Sequence, residues 1–186
     1  MNISAFTDLA LRELQNPPPE AIIQIPSGSG IFHVANISPN CWISGFVSPR
    51  EGRWKFEGEH KKHFASTLET CCLELYGKET PPANEQVCEY WETTASFPAL
   101  NINAFSPQLR EAFYEDFGNP PGKWAKANLF TKLYAESSLG GNASSIIAPS
   151  ASGVQVGSPG TIFLGDPSSL PIKLLSTGTY GDFIQV

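Results

Sequence analysis

Gly52-Arg53-Trp54, followed about ten residues on by His63-Phe64-Ala65-Ser66-Thr67-Leu68-Glu69-Thr70-Cys71-Cys72-Leu73-Glu74, is the stretch on which the reading of this chain turns. It places a fixed cation and a carboxylate at the two ends of one strand-to-helix unit. Ser66 followed by Glu69 has the form of a capping box, in which a hydroxyl and a carboxylate satisfy the orphan amides of a helix start, so a helix is predicted from about Thr67 to Tyr76. At about 100° per residue, Leu68, Cys71, Cys72 and Leu75 share one buried arc, and Glu74 falls about 60° beyond Cys71, at its edge. A carboxylate there is either a solvated flank residue or a working acid beside a groove.

A second fragment bears on that choice. Ser144-Ser145-Ile146-Ile147-Ala148-Pro149-Ser150-Ala151-Ser152 reads as an apolar strand that ends in a proline and a serine. Gly-Arg-aromatic, then Ala-Ser and two glutamates, then an apolar strand closing on Pro-Ser: in this order the fragments resemble the RES domain family, named for an arginine, a glutamate and a serine. The resemblance covers roughly residues 30 to 165. It implies an α+β, ADP-ribosyltransferase-like split β-sheet core with flanking helices. It also implies a protein that binds NAD and breaks the nicotinamide–ribose bond, in many members as a toxin paired with an antitoxin. The family's usual partner is a helix-turn-helix protein.

On that resemblance Glu74 is the carboxylate that stabilises positive charge developing on the ribose, a charge that exists only in the transition state. Arg53 holds the diphosphate or an attacking anion, because a guanidinium binds phosphate oxygens in a fork. Ser150 positions the ribose or the nucleophile, although a serine at this place can also cap a turn with Ser152-Gly153. His33 and His63 line the nicotinamide side, with Trp54 and Lys55 as further substrate contacts. The acceptor is left open among water, inorganic phosphate and a target protein's side chain, giving an NAD glycohydrolase, an NAD phosphorylase or an ADP-ribosyltransferase. NAD breakdown is favoured, since no separate target-recognition module is visible. Three positions depart from the pattern: His33 stands where an arginine is usual, Lys55 where an asparagine is common, and His63 where a tyrosine is frequent. A catalytically degenerate binding module is the opposing reading.

Composition limits the alternatives. The chain has 186 residues, 41% hydrophobic and 11% aromatic, enough for one domain with a full core. With 18 acidic against 12 basic residues its net charge is −6, which argues against a nucleic-acid binder needing a surplus of Lys and Arg. No apolar run approaches a membrane span and no signal peptide is visible, so the cytoplasm is the expected compartment. The four cysteines, two of them adjacent at Cys71 and Cys72, read as small core hydrophobes. A zinc site from His60, His63, Cys71 and Cys72 is disfavoured, because adjacent helical cysteines diverge by about 100° and no C-x-x-C pair exists.

In chain order, residues 4–15 form an amphipathic helix with Phe6, Leu9, Ala10 and Leu14 inward and Asp8, Arg12 and Glu13 outward. Pro17-Pro18-Pro19 follows, so the expected division is a helix with its Pro-rich linker over 1–19 and a RES-like NAD-binding domain over 20–186. Ser27 to Gly30 is a turn, Ile31 to Ala35 a strand, and Cys41 to Val47 a further extended segment. Arg50, Arg53, Lys55, Lys61 and Lys62 put five of the twelve basic residues in one short window, either a positive field suited to a dinucleotide or a solvated hairpin.

Gly77 to Ser96 is read as a polar, turn-rich loop whose Tyr90-Trp91 either packs or offers an aromatic face to a base. Leu100 to Ala104 is a half-buried strand. Ser106-Pro107 opens a helix with Leu109, Ala112, Phe113 and Phe117 on one face, closed by Gly118. A helix from about Lys123 to Glu136 follows, with Trp124, Leu129, Phe130 and Leu133 inward. The remainder is mostly β: Ile146–Ser150, Val154–Val156, Thr161–Leu164, Ile172–Leu175 and Phe183–Val186. Gly118–Lys123 lacks the spacing of a phosphate loop and Gly28-Ser29-Gly30 lacks the third glycine of a dinucleotide fingerprint, so NAD is not expected in a Rossmann crevice.

Overall fold

A computed structural model describes residues 1–35, 62–76, 78–79, 86–115, 125–143, 145–150 and 160–184. Asn2 opens the first helix, α1 (Ile3–Gln15), by accepting a hydrogen bond from the Ala5 amide at 2.9 Å. Phe6, Ala10 and Leu14, one turn apart, are buried, and α1 docks on the helices α3 (Pro107–Tyr114) and α4 (Ala125–Glu136). Burying Phe6 and Leu14 contributes about 3–6 kcal/mol, enough to hold a short helix in place. Glu13, expected in solvent, instead accepts hydrogen bonds from the Ser106 amide at 2.9 Å and from the Ser106 hydroxyl. Ser106 in turn caps α3, its Oγ accepting from the Leu109 amide at 3.2 Å.

Among the described residues eight strands form one sheet: β1 (Ile22–Ile25), β2 (Gly30–Val34), β3 (Lys62–Ala65), β4 (Val87–Thr93), β5 (Phe97–Asn101), β6 (Ser145–Pro149), β7 (Thr161–Gly165) and β8 (Ile172–Thr179). Their spatial order is β1-β5-β6-β7-β3-β2-β4-β8, and every neighbouring pair is antiparallel except β5–β6. With α2 (Leu68–Tyr76) and α5 (Tyr180–Phe183) the molecule is α+β, a mostly antiparallel sheet with flanking helices, as expected. One core lies between α1, α3 and α4 and the β5–β6–β7 side, where Phe113 meets Phe6 and Phe130 edge-on. A second lies between α2 and the sheet, built from Val34, Ala65, Leu68, Cys71, Cys72 and Cys88. A third joins Ile31, Phe64, Trp91, Phe97, Phe163 and Leu170.

The ladder narrows between β2 and β3. β3 pairs along its length with β7 and β2 along its length with β4, but β2 and β3 share only the Phe32–Ala65 pair among the described residues. Side chains close that seam. His33 Nδ1 donates to the His63 carbonyl at 2.7 Å, and the Cys71 thiol donates to the Phe32 carbonyl at 3.1 Å. The Lys62 ammonium reaches past β2 to the Glu89 carboxylate on β4.

Several expectations change. The polar stretch read as a loop contains β4, the last strand but one of the sheet, flanked by β2 and β8; residues of both its faces are buried, so polar and apolar residues do not alternate as in a half-exposed strand. Lys62, counted in the positive field, is buried and ion-paired. The β5 strand stops at Asn101 and continues as a 3-10 turn, Ile102–Ala104, whose start the Asn101 side chain caps. In α4 the buried face is Lys126, Ala127, Phe130, Thr131 and Tyr134, with Leu129 and Leu133 half-buried beside it. Phe183, expected to open a terminal strand, instead closes α5, which starts at a reciprocal capping box of Thr179 and Asp182; Gln185 and Val186 lie outside the described residues. The Cys41–Val47 and Val154–Val156 segments, Phe117, Gly118 and Trp124 lie outside the described residues.

Candidate active site

Glu74 owes its position to how α2 starts. Thr67, not Ser66, is the cap: its Oγ1 accepts from the Thr70 amide at 3.2 Å, and its carbonyl accepts from the Cys71 amide at 3.2 Å. The buried arc is Leu68, Cys71, Cys72 and Leu73, while Leu75 is exposed. Burial pushes the Cys72 thiol up to about 11 and the Cys88 thiol up to about 12, and raises Cys71 as well. These thiols stay protonated and serve as core, as read from the sequence. Glu74, on the flank of the arc, is half-buried.

Ser150 directly follows β6. Its amide donates to the Gly160 carbonyl at 2.7 Å, carrying the β6–β7 pairing one step beyond Pro149, and the Tyr114 hydroxyl of α3 donates to the Pro149 carbonyl at 3.1 Å. With its backbone held from two sides, Ser150 is fully buried and its Oγ donates to Glu74 Oε2 at 2.5 Å. That is the length of a charge-assisted O–H···O⁻ bond, formed between residues 76 apart in sequence. The hydroxyl fixes one carboxylate oxygen and sets the rotamer of the acid.

The two histidines occupy opposite faces of the sheet. His33 lies on the face of Phe64, its ring edge-on at 6.1 Å, whereas His63 alternates with Phe64 and so belongs to the face that α2 covers. Because His33 Nδ1 donates to a carbonyl, its neutral ring carries the proton there and keeps Nε2 as an acceptor. Burial above all, then the Lys62 charge, lowers its pKa to about 3. His33 therefore carries no charge at neutral pH.

Beside it Lys62, Glu89 and Trp91 form a buried polar group that sequence reading missed. The Trp91 indole N–H donates to Glu89 Oε2 at 2.9 Å, and the Lys62 ammonium lies 5.2 Å from the Trp91 ring centroid. Trp91 is thus packing with a polar handle, and Tyr90 packs at a tilt against Phe32, with ring centroids 5.0 Å apart. The available signal was Glu89 and Trp91 at strand spacing, on one face of a single strand. Tyr114, Thr70 and Gly160 were also unmarked.

Arg53, Trp54, Lys55 and His60 lie outside the described residues. Among the described residues no group of His, Cys, Asp and Glu is arranged to hold a metal ion, and no helix is long and apolar enough to cross a membrane.

Compared with solved structures, the chain is similar to a chain of the crystal structure of the M. tuberculosis MbcT–MbcA toxin–antitoxin complex. The TM-score is 0.51 at 11% sequence identity, with 97% of each chain covered. The likeness is one of fold. No family model and no curated protein matches the chain.

Proposed function

We propose that this chain is an NAD-consuming enzyme of RES type that cleaves the nicotinamide–ribose bond and acts as a toxin held in check by an antitoxin or immunity protein. The carrying observation is the Ser150–Glu74 hydrogen bond, which joins two segments that the motif order had singled out independently. The fold-level likeness to a protein from a toxin–antitoxin complex supports it. In this reading the C1′–N bond breaks with its electron pair leaving on the pyridinium nitrogen, which releases neutral nicotinamide. The ribose is left with oxocarbenium character, and Glu74 stabilises that charge beside the 2′-hydroxyl. Ser150 holds Glu74 and through it the ribose or the nucleophile; Arg53, Trp54 and Lys55 take the diphosphate side. His63, on the α2 face, lines the nicotinamide, and His33 supports it through the His63 carbonyl. Water or inorganic phosphate attacks C1′; a protein side chain as acceptor gives the ADP-ribosyltransferase alternative.

A second reading, a degenerate module that binds NAD without cleaving it, draws on the uncharged, carbonyl-bound His33 in the place of a phosphate-binding arginine. Incubation of the purified protein with NAD, with and without phosphate, separates the readings by the nicotinamide released. Turnover is expected in both buffers for a hydrolase and only with phosphate for a phosphorylase, and Glu74→Ala is expected to be at least about a hundredfold slower. Equal turnover in Glu74→Ala removes the assignment of Glu74. Calorimetric NAD binding with no nicotinamide released selects the binding module.

A further inference from the structure

Gly160, just before β7, touches Ser150 directly and, through Thr70, the helix that carries Glu74. Its carbonyl accepts the Ser150 amide at 2.7 Å, which sets the backbone from which the hydroxyl projects. Its missing side chain is filled by Thr70: a Cβ built on Gly160 would collide with Thr70 Oγ1 and Cγ2 and lie 3.0 Å from Thr70 Cβ. Thr70 and Glu74 are i and i+4 on α2, one above the other on the same side of the helix. The Thr70 side chain is not free to turn away, because the Thr67 hydroxyl that caps α2 donates to Thr70 Oγ1 at 3.1 Å.

We propose that Gly160 is a positioning residue of the site: the bare backbone at which α2 seats through Thr70 and from which Ser150 is hung, so that the acid and the alcohol share one reference point. This rests on the NAD-cleaving reading for its activity readout but not for its geometry. The contacts close a ring: the Thr67 cap, Thr70, Gly160, the Ser150 amide, the Ser150 hydroxyl, Glu74, and back along one turn of α2. Gly160 is not among the positive-φ glycines, which are Gly28 and Gly141 among the described residues. An alanine therefore suits its backbone, and any effect must come through the seat of Thr70. A methyl group there lifts the first turn of α2 from the sheet and draws Glu74 away from Ser150.

The test compares Gly160→Ala, Thr70→Ala and the double variant in NAD turnover and in crystal structures. Gly160→Ala is expected to lower kcat about 10- to 100-fold with KM within about twofold, the loss typical of a reacting group displaced by about 1 Å. In the double variant only the Thr70 Cβ, at 3.0 Å, remains in the way. Its kcat is expected to return to within about threefold of Thr70→Ala alone, a rescue that mere loss of stability does not predict. A Gly160→Ala enzyme of full kcat, or a double variant as slow as Gly160→Ala, overturns the proposal. Absence of turnover in the unaltered protein refutes the NAD reading and leaves the crystal structures to decide this one. The Ser150–Glu74 separation should open beyond about 3.2 Å in Gly160→Ala and close again in the double variant; an unchanged bond overturns it.

Discussion

Lys62 on β3 and Glu89 on β4 are ion-paired across the intervening strand β2, with both side chains buried. The pair spans the seam where, among the described residues, β2 and β3 share a single ladder position, so it binds together strands that the backbone joins only weakly there. Burial lowers the Lys62 pKa even against the pull of Glu89, which marks the ammonium as costly to bury alone. Lys62→Met is expected to destabilise the fold by about 3–5 kcal/mol, because it leaves the Glu89 charge uncompensated. Lys62→Met with Glu89→Gln should recover most of that loss, since the amide oxygen still accepts from the Trp91 indole. Urea unfolding midpoints at constant m value measure both. A single variant as stable as the parent shows that the pair contributes nothing to the seam.

His33 gives the fold an acid limit. Its pKa is about 3 in the folded protein against 6.5 as the ordinary value, so between these values the unfolded chain binds the extra proton. Stability is fully present above pH 6.5 and is lost as pH falls toward 3, at a slope of up to about 1.4 kcal/mol per pH unit. The side chains it meets on its own face, Lys62 and Glu89 among them, already neutralise one another. His33→Asn keeps a donor for the His63 carbonyl and removes the titration. Between pH 7 and pH 5 it should lose about 2 kcal/mol less stability than the parent in denaturant unfolding, and equal losses would put the acid sensitivity elsewhere.

Much of this was legible where one face of an element meets one core. The stripe Phe6, Ala10, Leu14 of α1 and the arc Leu68, Cys71, Cys72 of α2 follow helical spacing, and both are buried as read. Glu13 escaped because a charged residue on the polar flank of a helix looks solvated until Ser106, the cap of α3, arrives to donate to it. β4 escaped for the opposite reason: a strand with Glu89 buried at its centre has no apolar alternation, and its neutralising lysine lies 27 residues earlier in the chain. At the site, motif order selected Glu74 and Ser150, and strand-end and helix-edge positions were readable. That the serine hydroxyl would reach the acid was not, since that bond depends on the seat of α2 on Gly160, a contact between a threonine and an absent side chain.

The way Ser150 contributes can be separated from that of Glu74. Ser150 is fully buried and its hydroxyl donates a hydrogen bond to Glu74 Oε2, while Glu74 is half-buried. In the NAD-cleaving reading Ser150 therefore works through the carboxylate. Ser150→Ala alone is expected to lower kcat about 10- to 100-fold with little change in KM, as a misdirected acid does. In a Glu74→Ala background the same substitution should cost less than about threefold, because there is no carboxylate left to orient. The four rate constants of this cycle are measured as nicotinamide released under saturating NAD. Multiplicative losses in the double variant would show instead that the Ser150 hydroxyl contacts the ribose or the nucleophile itself, and would require the strand end to move before reaction.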